Sequence, residues 1–257
     1  MEPNNNNNHI IVLTDATEYG KNAVNYGNLL AAIFKASLEI IPVSSPFSKK
    51  KLFSEAEEKN TIMIVIAAAQ KGSKTCFNAS KAIRFIKNAR IPVMVVGKEP
   101  PSQLAFQQVI LPVDMERQAK EKAMWASYFP RFYETYTKEI TSNQTNHDYY
   151  IHILHPTYKD AFLKKKITDN IEFIEKLYQN LETRYKIYPL DKVDNPDLYA
   201  LSFASQIDAT LVVVMMTKFY SLIDLLFGAK EKALIGNAQG IPVLCINERE
   251  DLYVLCT

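Results

Sequence analysis

The chain has 257 residues, a length that fits two modest domains better than one. With 47% hydrophobic and 23% charged residues it carries enough apolar material for buried cores, which excludes wholesale disorder. Thirty Lys and Arg against 28 Asp and Glu leave a formal net charge of +2, so the charge balance points to neither nucleic acid nor an anionic membrane as partner.

The opening Met-Glu-Pro and the asparagine run at 4–8 hold neither a basic leader nor the apolar stretch of a signal peptide. His-Ile-Ile-Val-Leu-Thr-Asp at 9–15 is then the first predicted strand. Val24, Leu29, Leu30, Ala31 and Phe34 fall at helical spacing within a helix over 17–34, and 36–43 reads as a strand. Thr-Ile-Met-Ile-Val-Ile at 61–66 is the next strand, 79–88 a helix, and Arg-Ile-Pro-Val-Met-Val-Val at 90–96 a strand opened by Ile-Pro. Residues 97–104, with Pro100 and Pro101, form a linker.

Beyond the linker come a strand, Gln-Val-Ile-Leu-Pro-Val-Asp at 108–114, a helix at 117–136, a polar loop at 141–148 and a strand at 149–154. A long helix at 160–184, a short strand at 185–188 and a helix at 196–207 follow. Pro196 stands where a missing N–H costs nothing, with Asn195 as cap. Thr-Leu-Val-Val-Val-Met at 210–215 is a strand, 228–237 a helix, and Gly-Ile-Pro-Val-Leu-Cys-Ile at 240–246 the last strand.

Three of these strands recur in the same order. The segment 9–15 answers 108–114, 61–66 answers 210–215, and 90–96 answers 240–246, so the chain is a tandem duplication. Asp15 lies 77 positions before Pro92 and Asp114 lies 128 before Pro242. About 50 residues are thus missing from the first copy, the size of a helix–strand–helix unit. Alternating strands and helices with continuously apolar strands predict an α/β fold: two tandem doubly wound parallel-sheet repeats covered on both faces, at 8–98 and 106–257.

A strand ending in Asp, a helix, and a closing Ile-Pro-Val strand after a glycine-led helix resemble the universal stress protein family in tandem form, over nearly the whole chain. The stretch from Ala209 through Thr-Leu-Val-Val-Val-Met-Met-Thr-Lys, then Leu-Leu-Phe-Gly228-Ala-Lys, to Ile-Pro-Val-Leu-Cys-Ile carries the resemblance most fully. The resemblance implies strand order 3-2-1-4-5 in each repeat, a first repeat without its third strand, and closing strands paired across a pseudo-dimer interface.

Nucleotide-binding members of that family have a G-x-x-G-x9-G-[S/T] loop after the fourth strand, where glycine lets the backbone adopt φ > 0 and approach phosphates. The helix behind it adds N-terminal N–H groups. In the second copy those positions fall on Met215, Lys218, Gly228 and Ala229, so one glycine of three remains and the hydroxyl is gone. In the first copy they fall near Ala67, Gln70 and the Ala79-Ser80 pair, with Gly72 off the spacing. The resemblance further implies that Asp15 or Asp114, and Pro112 two positions before the latter, face a nucleoside. An Asp at the end of the first strand is equally a helix cap. Lys218 is a phosphate contact or a solvated loop lysine, Met215 and Met216 pack in the core or crevice, and Phe219 and Tyr220 are candidates to fill the emptied phosphate site.

The remaining constellations point away from catalysis. His152 and His155, an odd offset apart in or just after a strand, face opposite ways and share no metal. His147 and Asp148 sit in the polar loop. Cys76, Cys245 and Cys256 show no C-x-x-C spacing and no adjacent base, and Cys245 is expected to be buried and structural. The lysine runs at 49–51 and 164–166 read as solvated surface. Trp125, Phe129, Phe132 and Tyr136 form one helical stripe, expected in the core or at a subunit interface, and residues 251–257 are apolar enough to pack on a neighbour. Neither an S-G-G-x-D-S loop nor an H-x-G-H motif occurs, which argues against an adenylating or amide-forming ATP pyrophosphatase.

The expectation is therefore a cytoplasmic, non-enzymatic stress-response protein without a required cofactor or metal, its ATP binding lost or weakened. It would act as a homo-oligomer or tandem pseudo-dimer through a partner or small ligand, with no nucleic acid or membrane partner. The alternative is an adenine-nucleotide sensor, taking ATP or AMP in the second repeat only, through Asp114, Lys218 and Gly228.

Overall fold

Apolar runs buried on both sides make the inner strands of this chain. Ile10 to Leu13 are each at most 2% exposed, as expected where helices cover both faces of a parallel sheet. A computed structural model describes residues 8–43, 48–69, 77–102, 105–116, 119–140, 149–191, 193, 196–216 and 229–247. The first copy runs β1 (His9–Thr14), α1 (Glu18–Phe34), β2 (Ser37–Pro42), α2 (Lys49–Glu58), β3 (Thr61–Ala67), α3 (Ala79–Ile86) and β4 (Val93–Val96). The second runs β5 (Gln108–Pro112), α4 (Ala119–Ile140), β6 (Tyr150–Pro156), α5 (Ala161–Asn180), β7 (Tyr185–Leu190), α6 (Pro196–Gln206), β8 (Leu211–Met216), α7 (Ala229–Ile235) and β9 (Val243–Asn247).

The described residues divide into two compact units. Unit 1 takes those of Met1–Pro100, Met215–Gly240 and Leu244–Thr257, and unit 2 those of Pro101–Val214 and Ile241–Val243. In unit 1 the strand order is β2-β1-β3-β4-β9. Strand β1 pairs parallel with β2 (Val12↔Ile40) and β3 (Val12↔Val65), and β3 with β4 (Val65↔Met94). In unit 2 the order is β8-β5-β6-β7, all parallel where registered: Ile110↔Val212, Ile110↔His152 and Ile153↔Ile187. The start of β9 joins this unit through Val212 N–H, which donates to the Pro242 carbonyl at 3.0 Å. The first copy is thus ordered 2-1-4-5, without a third strand, and the second 3-2-1-4 with the fifth strand following. The closing strands β4 and β9 are neighbours in unit 1, as the tandem arrangement requires.

One expectation needs correction. What the first copy lacks is one strand and one helix, not a helix–strand–helix unit, because α2 stands between β2 and β3. Its signal is short: Ser48 caps it by accepting from Lys51 N–H, and its buried face is Leu52 and Ala56, one turn apart. The aromatic stripe on α4 reaches the core through Phe129. Ala123, Ala126, Phe129, Pro130 and Tyr133 are buried, whereas Trp125, Phe132 and Tyr136 are half-buried. Phe106 anchors the buried side against Phe129 at 5.1 Å and Tyr133 at 6.2 Å between ring centres.

Candidate functional site

In each copy the strand order reverses beside the first strand, which in doubly wound sheets is where ligands meet the carboxyl ends of the strands. In unit 1 that place is the end of β1. Asp15 follows the last strand residue, and its Oδ1 accepts from Thr17 N–H at 3.0 Å and from the Thr17 hydroxyl. Thr17 in turn caps α1, its Oγ1 accepting from Gly20 N–H at 3.2 Å. Thr14 donates its hydroxyl to the Gly20 carbonyl at 2.9 Å. Gly20 is obligatory here: a Cβ would lie 2.2 Å from the Asp15 carbonyl oxygen and 2.7 Å from Oδ1. The carboxylate is folded into its own helix cap.

Of the phosphate-loop positions of this copy, only those that flank the loop lie among the described residues. Ala67 is buried at the end of β3, and the chain continues through buried Ala68 and Ala69. Phe77, buried, packs edge-on to Phe85 at 5.5 Å. Asn78 caps α3, its side chain accepting from Lys81 N–H at 3.0 Å, so one of the amides that would receive an anion already has a partner.

In unit 2 the corresponding loop leaves β5 at Pro112, which is buried, and passes through buried Val113 to half-buried Asp114. Asp114 Oδ1 accepts one bond, from Glu116 N–H at 3.1 Å. The loop is held by two buried polar side chains that sequence reasoning missed. Asn170, on α5, donates to the Asp114 and Glu116 carbonyls, both at 2.9 Å. Lys122, on α4, donates its ammonium to the Pro112 carbonyl at 2.6 Å. Behind them Tyr178 donates to the Ala123 carbonyl at 2.9 Å, and full burial pushes its hydroxyl well above the usual phenol range, so it remains a donor. The available signal was a polar residue inside an apolar helical pattern: Lys122 between Ala119 and Ala126, Asn170 between Ile167 and Ile174.

Of the other site residues, Met215 is half-buried near the end of β8 and Met216 is buried. Ala229 opens α7. Lys218, Gly228, Phe219, Tyr220, Gln70, Gly72, Asn195, His147, Asp148, Cys76, Cys256 and residues 251–257 lie outside the described residues. His152 turns inward, bonding Gln108 Oε1 at 2.7 Å through Nε2 and the Tyr188 hydroxyl at 3.1 Å through Nδ1. His155 contacts the Pro156 carbonyl instead. Cys245 is buried in β9. Among the described residues no three His, Cys, Asp or Glu are grouped to hold a metal, and no helix is long and apolar enough to cross a membrane.

No family model and no curated protein matches the sequence. Solved structures do. A universal stress protein from Archaeoglobus fulgidus DSM 4304 superposes with a TM-score of 0.65 at 14% identity, covering 94% of this chain and 99% of its own. A protein from Pseudomonas aeruginosa UCBPP-PA14, described as a universal stress protein, gives 0.55 at 10% identity over 95% of this chain and 94% of its own. A functionally unknown protein from Pseudomonas aeruginosa PAO1 gives 0.53 at 11% identity over 96% of this chain and 84% of its own. With a TM-score of 0.65 over nearly the whole of both chains, the chain has the fold of the universal stress proteins.

Proposed function

We propose that this chain is a cytoplasmic, non-enzymatic stress-response protein of the universal stress type, with ATP binding lost or weakened, acting through dimerisation or by holding a partner or small ligand. The proposal takes residues 8–98 and 106–257 as its two repeats. The observation that carries it is the inward turn of the first-strand aspartates. Asp15 accepts from both the amide and the hydroxyl of Thr17, and Asp114 accepts from Glu116 N–H, so both side chains cap their own loops. The eroded glycine loop, with Met215 and Lys218 at positions that take glycine in nucleotide-binding members, supports the same reading. No cofactor is required by it.

A second reading, an adenine-nucleotide sensor in the second repeat alone, is favoured by Asp114, which among the described residues accepts from Glu116 N–H alone, whereas Asp15 is held by both the amide and the hydroxyl of Thr17. It would use Pro112, Asp114, Lys218 and Gly228. One experiment separates the two: the protein is purified without added nucleotide and denatured, and any released small molecule is identified by mass spectrometry and anion exchange. An empty protein that also gives no saturation in calorimetric ATP titration fits the first reading. Near-stoichiometric ATP, ADP or AMP overturns it in favour of the second.

A further inference from the structure

The ligand end of the second copy already contains a cation. Lys122 is 1% exposed, its Nζ donates to the Pro112 carbonyl, and no carboxylate among the described residues pairs with it. Backbone geometry fixes where that bond lies. Val113 N–H points to β6, donating to the Leu154 carbonyl at 2.7 Å. The Pro112 carbonyl, anti to that N–H across one trans peptide, therefore points the other way, towards β8. Strand β8 is the neighbour of β5 on that side, in register at Ile110↔Val212. The ammonium thus sits where the strand order of unit 2 reverses.

A ligand that enters there with an N–H or O–H to donate competes for a carbonyl that already holds a charge-assisted bond of 2.6 Å. The first copy differs within unit 1: Asn22, a buried polar residue on α1, donates to the Lys98 carbonyl beyond β4 and not to a carbonyl at the end of β1. We propose that Lys122 determines what the second crevice excludes: its stem fills the space, and its ammonium takes the acceptor, that a nucleoside would use. The proposal rests on the reading that nucleotide binding is lost, and supplies its physical cause.

The test is calorimetric titration of the full-length protein with adenosine and with ATP, for the wild type, Lys122→Ala and Lys122→Asn, each first checked for cooperative urea unfolding. The alanine variant clears both space and acceptor; the asparagine variant shortens the side chain and removes its charge while keeping a donor. The expected result is no saturable binding by the wild type and adenosine binding at least about tenfold tighter than the wild-type limit in a folded variant. An empty wild type with equally empty folded variants overturns the role of Lys122 and leaves the proposed function standing. A wild type that saturates with micromolar ATP overturns the proposed function and, with it, the closing role of Lys122.

Discussion

At the residue scale, Gly20 and His152 are the sharpest tests of the local geometry. Gly20→Ala places a Cβ 2.2 Å from the Asp15 carbonyl oxygen, backbone that cannot swing aside. The cap of α1 must then open, at a cost of about 1–3 kcal/mol, read as a lower urea midpoint with an unchanged slope. His152 carries a pH dependence. Burial, with the nearby Lys186 charge second, lowers its pKa from 6.5 to about 4. The unfolded chain therefore binds this proton more readily than the folded one. The stability tied to neutral His152 is complete above about pH 6.5 and falls as pH drops from there through about 4, by roughly 1–3 kcal/mol. In His152→Gln the fall in urea midpoint between pH 7 and 4 should be shallower than in the wild type; equal slopes would show that the imidazole is not the sensor. Asp15 and Asp114 were legible in sequence because they end apolar runs. Gly20 was not, because its requirement is a distance to backbone five residues away, which no spacing rule reports.

At the element scale, the loop after β5 is clamped by a helix, α5, that belongs to the part of the chain where the second copy is longer. Asn170→Ala removes two hydrogen bonds to the Asp114 and Glu116 carbonyls. Buried acceptors left without these donors cost about 1–3 kcal/mol. The expected signature is local as well as global: faster amide exchange around Asp114 to Glu116 than at the centre of β5, which the wild type should protect together. The strand positions, the long α5 and the α6 start at Pro196 could be taken from periodicity, since apolar runs and 3.6-residue spacing determine them. Helix α2 could not, because ten residues with only Leu52 and Ala56 buried give too little period, and Lys49 to Lys51 look like any solvated run. On α4 the buried face mixes small residues, Ala119, Ala123, Ala126 and Ser127, with Tyr128, Phe129 and Tyr133, and Lys122 is buried among them. Alanine permits close approach to the sheet, while Trp125, Phe132 and Tyr136 stand half-buried at the flank.

At the scale of the whole molecule, the first copy is not closed by its own residues. Unit 1 ends in β9, which comes from the second copy, and α3 packs against α7, which does too. Asn247, buried at the end of β9, donates to the Ile86 and Ala89 carbonyls and so satisfies the C-terminal end of α3. Gly97 and Gly240 bring the two copies' chains together inside this unit: a Cβ on Gly97 would meet Gly240 Cα at 3.1 Å, and Gly240 itself holds φ +70. Residues 1–100 expressed alone would leave the β4 edge, the α3 carbonyls and the face of α3 that packs on α7 without these partners. That fragment should therefore show no cooperative thermal transition by circular dichroism, whereas the intact chain should. Gly240→Ala in the intact chain probes the same junction more gently. The left-handed backbone there penalises alanine by about 1 kcal/mol, so the variant should stay folded with a lower urea midpoint. A fragment that melts cooperatively on its own would mean that β9 and α7 are dispensable to the first copy. The duplication would then be two independent folds on one chain, and any dimer-like role would have to come from a second molecule.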